Sequence, residues 1–476
     1  MKTILLTPLF AALLLAGCAS VDVPAPHALP LMPAAYNTGS TAGVSGTAAS
    51  ASATGATAAG APAIDTAWWH EFGDAKLDEL VAQALANNTQ IEIAADRLAE
   101  ARTAAGAANA TLWPQLGLGA GASRQTGEAA RAENVYGTLY QANANLAYEV
   151  DLFGRLRDAR HAATLDARER EALLQGTQLL VQAQVAQSYF ALRALEAEQD
   201  LVRETIAAYR ETLALTERRR DGGDVSALDV ERVRTEVAAN ESAALDLDRR
   251  RAELEHSLAV LTGVPASGFA LPVAAWDQAL PGVPAGLPSE LLARRPDVVA
   301  AQLHWQAAQA RVSEARKAWF PSFTLTGQAG GASPTLSNLF KTSGGLFGVE
   351  ALASLPIFDG GRREAGIEAA AAQSGAASAA YRESILVAFQ DVEDELSALA
   401  LLARQADAQQ QAVTSAVRAT QLSDSRYRHG LVSQLELLDA RRSELALRRQ
   451  ALQIRAARYQ ATIGLIKALG GGWSAA

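Results

Sequence analysis

Two carboxylates, Glu436 and Asp439, stand three residues apart just beyond a His429-Gly430 pair, so they share one face of a helix starting there. Acids gathered in this way attract cations, and the neighbouring Leu435 suits an apolar constriction. The plainer reading is a solvated helix face whose acids pair with Arg441 or Arg442 for little energy. Other chemistries lack their residues. The histidines at 27, 70, 161, 256, 304 and 429 have no metal-ligand spacing, and His70-Glu71 lacks the second histidine of a zincin. With no phosphate-binding glycine loop and no nucleophile or acid/base constellation, no cofactor or metal is expected, and an enzyme has least support. A net charge of −9 without a long Lys/Arg run excludes a nucleic-acid partner. The single cysteine, Cys18, excludes an intrachain disulfide and any cysteine-based dyad or metal site.

Cys18 finds its explanation at the N-terminus. Lys2 is a short positive region, Ile4 to Leu15 a mostly apolar one, and Leu15-Ala16-Gly17-Cys18 follows at once. That tetrad resembles a bacterial lipobox, which implies a signal peptide over 1–17, cleavage before Cys18 and acylation of the cysteine; more than one acyl chain gives stable anchoring. Ala19 rather than Asp after the cysteine implies sorting to the outer membrane. Residues 18–63 are expected to be a tether, since from Tyr36 to Ala63 almost every residue is Ala, Gly, Ser or Thr. No later segment offers ~18 uninterrupted apolar residues, so any membrane passage must use strands.

The elements that must hold Glu436 and Asp439 come from a tandem duplication with an offset of about 207 residues. Leu112-Trp113-Pro114 answers Trp319-Phe320-Pro321, and Phe153-Gly154-Arg155 answers Phe358-Asp359-Gly360-Gly361-Arg362. Gly223 to Asp229 answers Gly430 to Glu436, and Leu261-Thr262-Gly263 answers Leu469-Gly470-Gly471. The repeats are assigned to 64–265 and 288–472, joined by a linker over 266–287. In each, strands follow a proline: hairpins at about 115–152 and 322–357 alternate apolar with polar residues, the dyad of a membrane barrel strand. Arg155 to about Arg220 and Arg362 to about Arg428 then run without proline, each as one helix. Roughly 65 residues at ~1.5 Å give a rod about 100 Å long. Each rod turns at Gly222-Gly223 or His429-Gly430 and returns as a shorter helix with leucines at coiled-coil spacing.

Two hairpins give four strands, and an open four-stranded sheet in lipid leaves edges that no water can satisfy. Three copies would supply about twelve strands, enough for a barrel with a polar interior. With these parts the chain resembles the outer membrane factor (TolC-like) family, in particular its NodT-like lipoprotein branch. The motifs are Trp68-Trp69-His70-Glu71-Phe72-Gly73-Asp74, Leu287 to Asp297, and Tyr427-Arg428-His429-Gly430, and the resemblance covers nearly the whole chain.

The resemblance implies an α+β membrane protein: a homotrimer with a shared 12-stranded β-barrel and an α-helical periplasmic tunnel. It implies an equatorial belt built partly from the chain's ends and the inter-repeat segment. It implies outer-membrane lipids, a periplasmic membrane-fusion adaptor and a proton-driven inner-membrane pump as partners. Under it, Asp439 matches a constricting aspartate of the periplasmic gate, Glu436 a second acid, Leu435 an apolar gate position and Tyr427 a tip tyrosine that latches the closed state. Val432 departs from the arginine that some members carry. Asp229, which answers Glu436 in the first repeat, is open to interaction with neighbouring helices, and Gly222, Gly223 and Gly430 turn the tips and are candidates to receive an adaptor. The expected function is the passive outer-membrane duct of a tripartite efflux system. A type I protein-secretion duct and a pore-less structural lipoprotein are the alternatives, and the amphipathic hairpins argue against the second.

Overall fold

The structure is a computed structural model describing Tyr36 and residues 67–126, 137–283, 294–341 and 345–471. The signal peptide, Cys18, most of the tether and Leu287 lie outside the described residues. The element order is a 3-10 turn at Trp68–Phe72, then α1 (Ala75–Asn87), α2 (Thr89–Ala110), β1 (Gln115–Gln125), β2 (Gly137–Val150), α3 (Arg155–Asp221) and α4 (Ala227–Leu261). It continues with α5 (Pro296–Lys317), β3 (Ser322–Ser333), β4 (Gly345–Ser354), α6 (Arg362–Arg428) and α7 (Gln434–Ala468). Pro114 and Pro321 precede β1 and β3, and no proline interrupts α3 or α6, each 67 residues long. The return helices α4 and α7 have 35 residues each. Corresponding helices of the two repeats start 207 residues apart. Among the described residues no helix is long and apolar enough to cross a membrane.

The chain divides into two compact units. The first includes Asp96–Ala172 and Ala300–Glu383, and its centre is an antiparallel sheet in the order β1-β2-β3-β4. Register explains its two faces. Leu116, Leu146, Gly327 and Val349 form one cross-strand row, and Leu118, Ala144, Ala329 and Phe347 the next on that face. The intervening row is Gly117, Asn145, Gln328 and Gly348 on the opposite face. The sheet is thus apolar on one side and polar on the other, as a period of two requires. Its apolar side is bare: Leu118 is 85% and Phe347 83% exposed.

The second unit draws on Leu173–Val299, Ser384–Ala476 and the segment before Asp96. Its main core packs Trp68, Trp69 and Phe72 against Tyr189 and Phe190 of α3, Tyr459 and Ile463 of α7, and Leu271 and Trp276 of the inter-repeat segment. Phe72 lies 4.9 Å from Phe190 and 6.1 Å from Tyr459, ring to ring. Asp74 caps α1 through Lys76 N and Leu77 N, and its other oxygen accepts from the hydroxyl of Tyr189 at 2.7 Å. The inter-repeat segment is pinned by charge. Arg193, 1% exposed, donates to Glu196 and to the carbonyl of Pro272, and Arg251 donates to Glu196 and to the carbonyl of Leu271.

The glycines that end the helices correct one sequence alignment. Gly263 N donates to Val260 O and Val264 N to Ala259 O, while Gly470 N donates to Lys467 O and Gly471 N to Ile466 O. Both are Schellman endings, so Gly263 answers Gly470 rather than Gly471; the extra glycine in Leu469-Gly470-Gly471 drew the alignment one residue too far.

Candidate functional site: the paired helix tips

Two turns reverse the chain at the far ends of α3 and α6, and the same bonds make both. Gly223 N donates to Arg220 O and Asp224 N to Arg219 O; Gly430 N donates to Tyr427 O and Leu431 N to Arg426 O. Gly223 and Gly430 hold φ of 84° and 71°, the left-handed conformation this ending requires. Gly222 is still on the helical path, its N–H bonded to Arg218 O, so the turn depends on the second glycine of the pair. Ser226 and Ser433 then cap α4 and α7.

Side chains knit the two tips together. The hydroxyl of Thr216, fully buried in α3, lies 3.3 Å from that of Tyr427 and accepts from Gln434 Nε2 at 3.1 Å. Arg219 stacks 4.7 Å over the ring of Tyr427 and donates to the carbonyls of Tyr427 and Arg428, the open end of α6. A cleft of about 910 Å³ remains between the turns, lined by Asp224, Ser226, Asp229, His429, Gly430 and Ser433 among others.

The acids expected at this end are where a partner could meet them. Asp439 keeps 62% of its side chain exposed and only grazes Arg442, at 3.5 Å. Glu436 is half exposed and lies 3.6 Å from Arg426. Leu435 is 45% exposed beside them. The plainer reading paired the acids with Arg441 or Arg442, and Asp439 does meet Arg442 weakly, whereas Arg441 binds Asp424 and α3 instead. Arg442 spends its stronger bond on Glu236 of α4, which holds its pKa above the ordinary guanidinium value. Within the chain Asp229 closes a capping box, accepting from the amide and hydroxyl of Ser226. Tyr209, packed beneath Arg441 with Val233 and Leu438, is pushed up to about 12 by burial and by the charge of Glu236.

Sequence reasoning missed Thr216, Arg219 and Gln434. Nothing in their types or spacing marks them, because their roles arise only where two distant turns meet. Asp424 carried a signal that went unread: it stands opposite Glu217 in the duplication, and both bind an arginine of the returning helix.

Two carboxylates and a leucine displayed on one helix face, at a tip tied together by side-chain contacts, can attract cations and narrow an opening.

Known proteins resemble the chain over most of its length. The family model described as outer membrane efflux protein matches residues 80–264 and 287–471. The chain is 35% identical over 421 residues to the probable efflux pump outer membrane protein TtgC of Pseudomonas putida, covering 87% of each chain. It is 32% identical over 416 residues to the cation efflux system protein CusC of Escherichia coli, covering 86% of this chain and 89% of that one. Among solved structures, a membrane protein from Pseudomonas aeruginosa superposes with a TM-score of 0.83 at 29% identity, over 96% of this chain and 98% of that one. A structure of CusC superposes with a TM-score of 0.80 at 28% identity, over 94% and 99%.

Proposed function

The chain belongs to the outer membrane efflux protein family, and from that premise we propose that three copies close one passive duct of a tripartite efflux system, gated at the paired tips. One observation carries the closure. The sheet is open at β1 and β4, with an uncovered apolar face and a polar one. A sheet with free edges cannot rest in hydrocarbon, whereas about twelve strands from three copies leave no edge, turn apolar rows to lipid and line a pore with polar ones.

The tips supply the other end of the function. Symmetry brings three copies of Leu435, Glu436 and Asp439 around one axis, a ring of acids with an apolar collar, while Tyr427 helps to hold it shut. Gly223 and Gly430, with Gly222 beside the first, set the cleft between the turns where a periplasmic adaptor can reach it. Energy comes from a pump in the inner membrane, because the sequence carries no phosphate-binding glycine loop. Cys18 carries the lipid that anchors the mature chain to the outer membrane.

The test is loss and restoration in cells. Deleting the gene should raise the accumulation of a fluorescent efflux dye, and the wild-type chain should restore export. Restored protein secretion without restored dye export would favour a type I secretion duct, and restoration of neither would refute the export reading. Intact-mass measurement of the purified chain should show acylation at Cys18, lost in Cys18→Ser.

A further inference from the structure

One ion pair between a return helix and its own long helix recurs at equivalent positions in the two repeats, and the two copies differ in one informative way. In the first, Arg234 of α4 meets Glu217 of α3 at 3.0 Å, with 50% and 39% of the side chains exposed. In the second, Arg441 of α7 meets Asp424 of α6 at the same distance, with 13% and 26% exposed. The second arginine is buried because its other amino group leaves its own repeat. Arg441 Nη1 donates to Ala208 O at 2.7 Å and to Thr212 Oγ1 at 2.6 Å, both on α3, and the guanidinium lies over the ring of Tyr209. One side chain of α7 thus grips both long helices.

Its place on α7 gives that grip a consequence. Asp439 lies two residues earlier, and residues two apart point to opposite sides of a helix. While Arg441 is bound to α3, the face bearing Asp439 is turned outward from the bundle, and α7 cannot rotate without breaking bonds from a charged donor. Asp424 also accepts from Arg428 at 2.7 Å, so it keeps a partner if Arg441 lets go.

We propose that Arg441 is a positioning residue that locks α7, and with it the acidic gate, to the long helix of the other repeat, and that opening the tip requires Arg441 to release Ala208 and Thr212. The proposal rests on reading the tips as the gate of the duct.

The experiment is single-channel recording of the purified full chain in planar bilayers, with thermal unfolding of the same preparations followed in parallel. Arg441→Ala should raise the open probability by about tenfold or more, since a charged donor loses several partners. Arg441→Lys, which keeps the charge without the fork, should fall between. Arg234→Ala, its repeat counterpart, should record like wild type. Should Arg441→Ala fail to assemble, Thr212→Val removes the hydroxyl acceptor on α3 and must raise the open probability in the same direction. Equal open probability in wild type and Arg441→Ala, or an equal rise in Arg234→Ala, overturns the lock. Channels that respond to Asp439→Ala but not to Arg441→Ala leave the gate standing without it. Absence of conduction from every form, Asp439→Ala included, refutes the gate and the lock together.

Discussion

The guanidinium of Arg219 lies 4.7 Å from the ring centre of Tyr427 and at the same time donates to that residue's carbonyl oxygen. One arginine therefore caps the end of α6 and covers the aromatic ring that packs there. Arg219→Ala should lower the stability of the tip by about 2 kcal/mol, from the lost cap and the lost cation–π contact. Tyr427→Phe keeps the ring and loses only the contact with Thr216, so it should cost about 1 kcal/mol. Hydrogen-exchange protection of the amides at the ends of α3 and α6 measures both, and the order of the two effects is the expectation.

The two glycines of the first tip should not respond alike. A methyl group on Gly222 would meet Arg219 O at 3.5 Å and Arg218 O at 3.7 Å, ordinary contacts, so Gly222→Ala should be close to neutral. Gly223, at φ 84°, should cost about 1–2 kcal/mol as alanine, because an L side chain is strained there. Thermal unfolding in detergent separates them, and a larger loss for Gly222→Ala would contradict the assignment of Gly223 as the turning residue.

Much of this fold was legible because its signals are local and occur twice. Proline positions and composition gave helices starting at Arg155 and Arg362, where α3 and α6 begin, and alternation gave the strands. The family resemblance further assigned Tyr427 to the tip, and its buried hydroxyl contact with Thr216 joins the two repeats. Three features were not legible, for one physical reason. The stacking of Arg219, the cross-repeat reach of Arg441 and the buried Arg193–Glu196 pair each depend on contacts between segments remote in sequence, and arginine on a helix most often reads as solvated charge. The capping role of Asp229 was missed for the opposite reason. Its partner, Ser226, was three residues away, and the capping-box spacing outranked the repeat analogy with Glu436.

A pH dependence follows from the segment that opens the second repeat. Arg295, buried, donates to Asp297, to Asp391 and to the carbonyl of Ala468, joining the start of α5 to the end of α7. Burial alone would push the carboxyl of Asp297 up, but the hydrogen bonds and charge of Arg295 outweigh it and hold Asp297 below the usual carboxylate range. A lowered folded-state pKa contributes stability that is fully present above the unfolded value, ~3.9, and is lost as pH falls through the lowered one. The stability difference between wild type and Asp297→Asn should therefore be largest near neutral pH and shrink below about pH 4. Thermal midpoints across a pH series check this; a difference that grows on acidification would reverse the assignment.

The central claim is a duct whose permeation is set by carboxylates at the tips, and reversal potential across a planar bilayer under a salt gradient tests it most directly. Wild-type channels should favour cations, and Asp439→Ala and Glu436→Gln should each move the reversal potential toward zero, with the double substitution moving it further. Cation preference unchanged in the double variant, in channels that otherwise conduct normally, would contradict the claim.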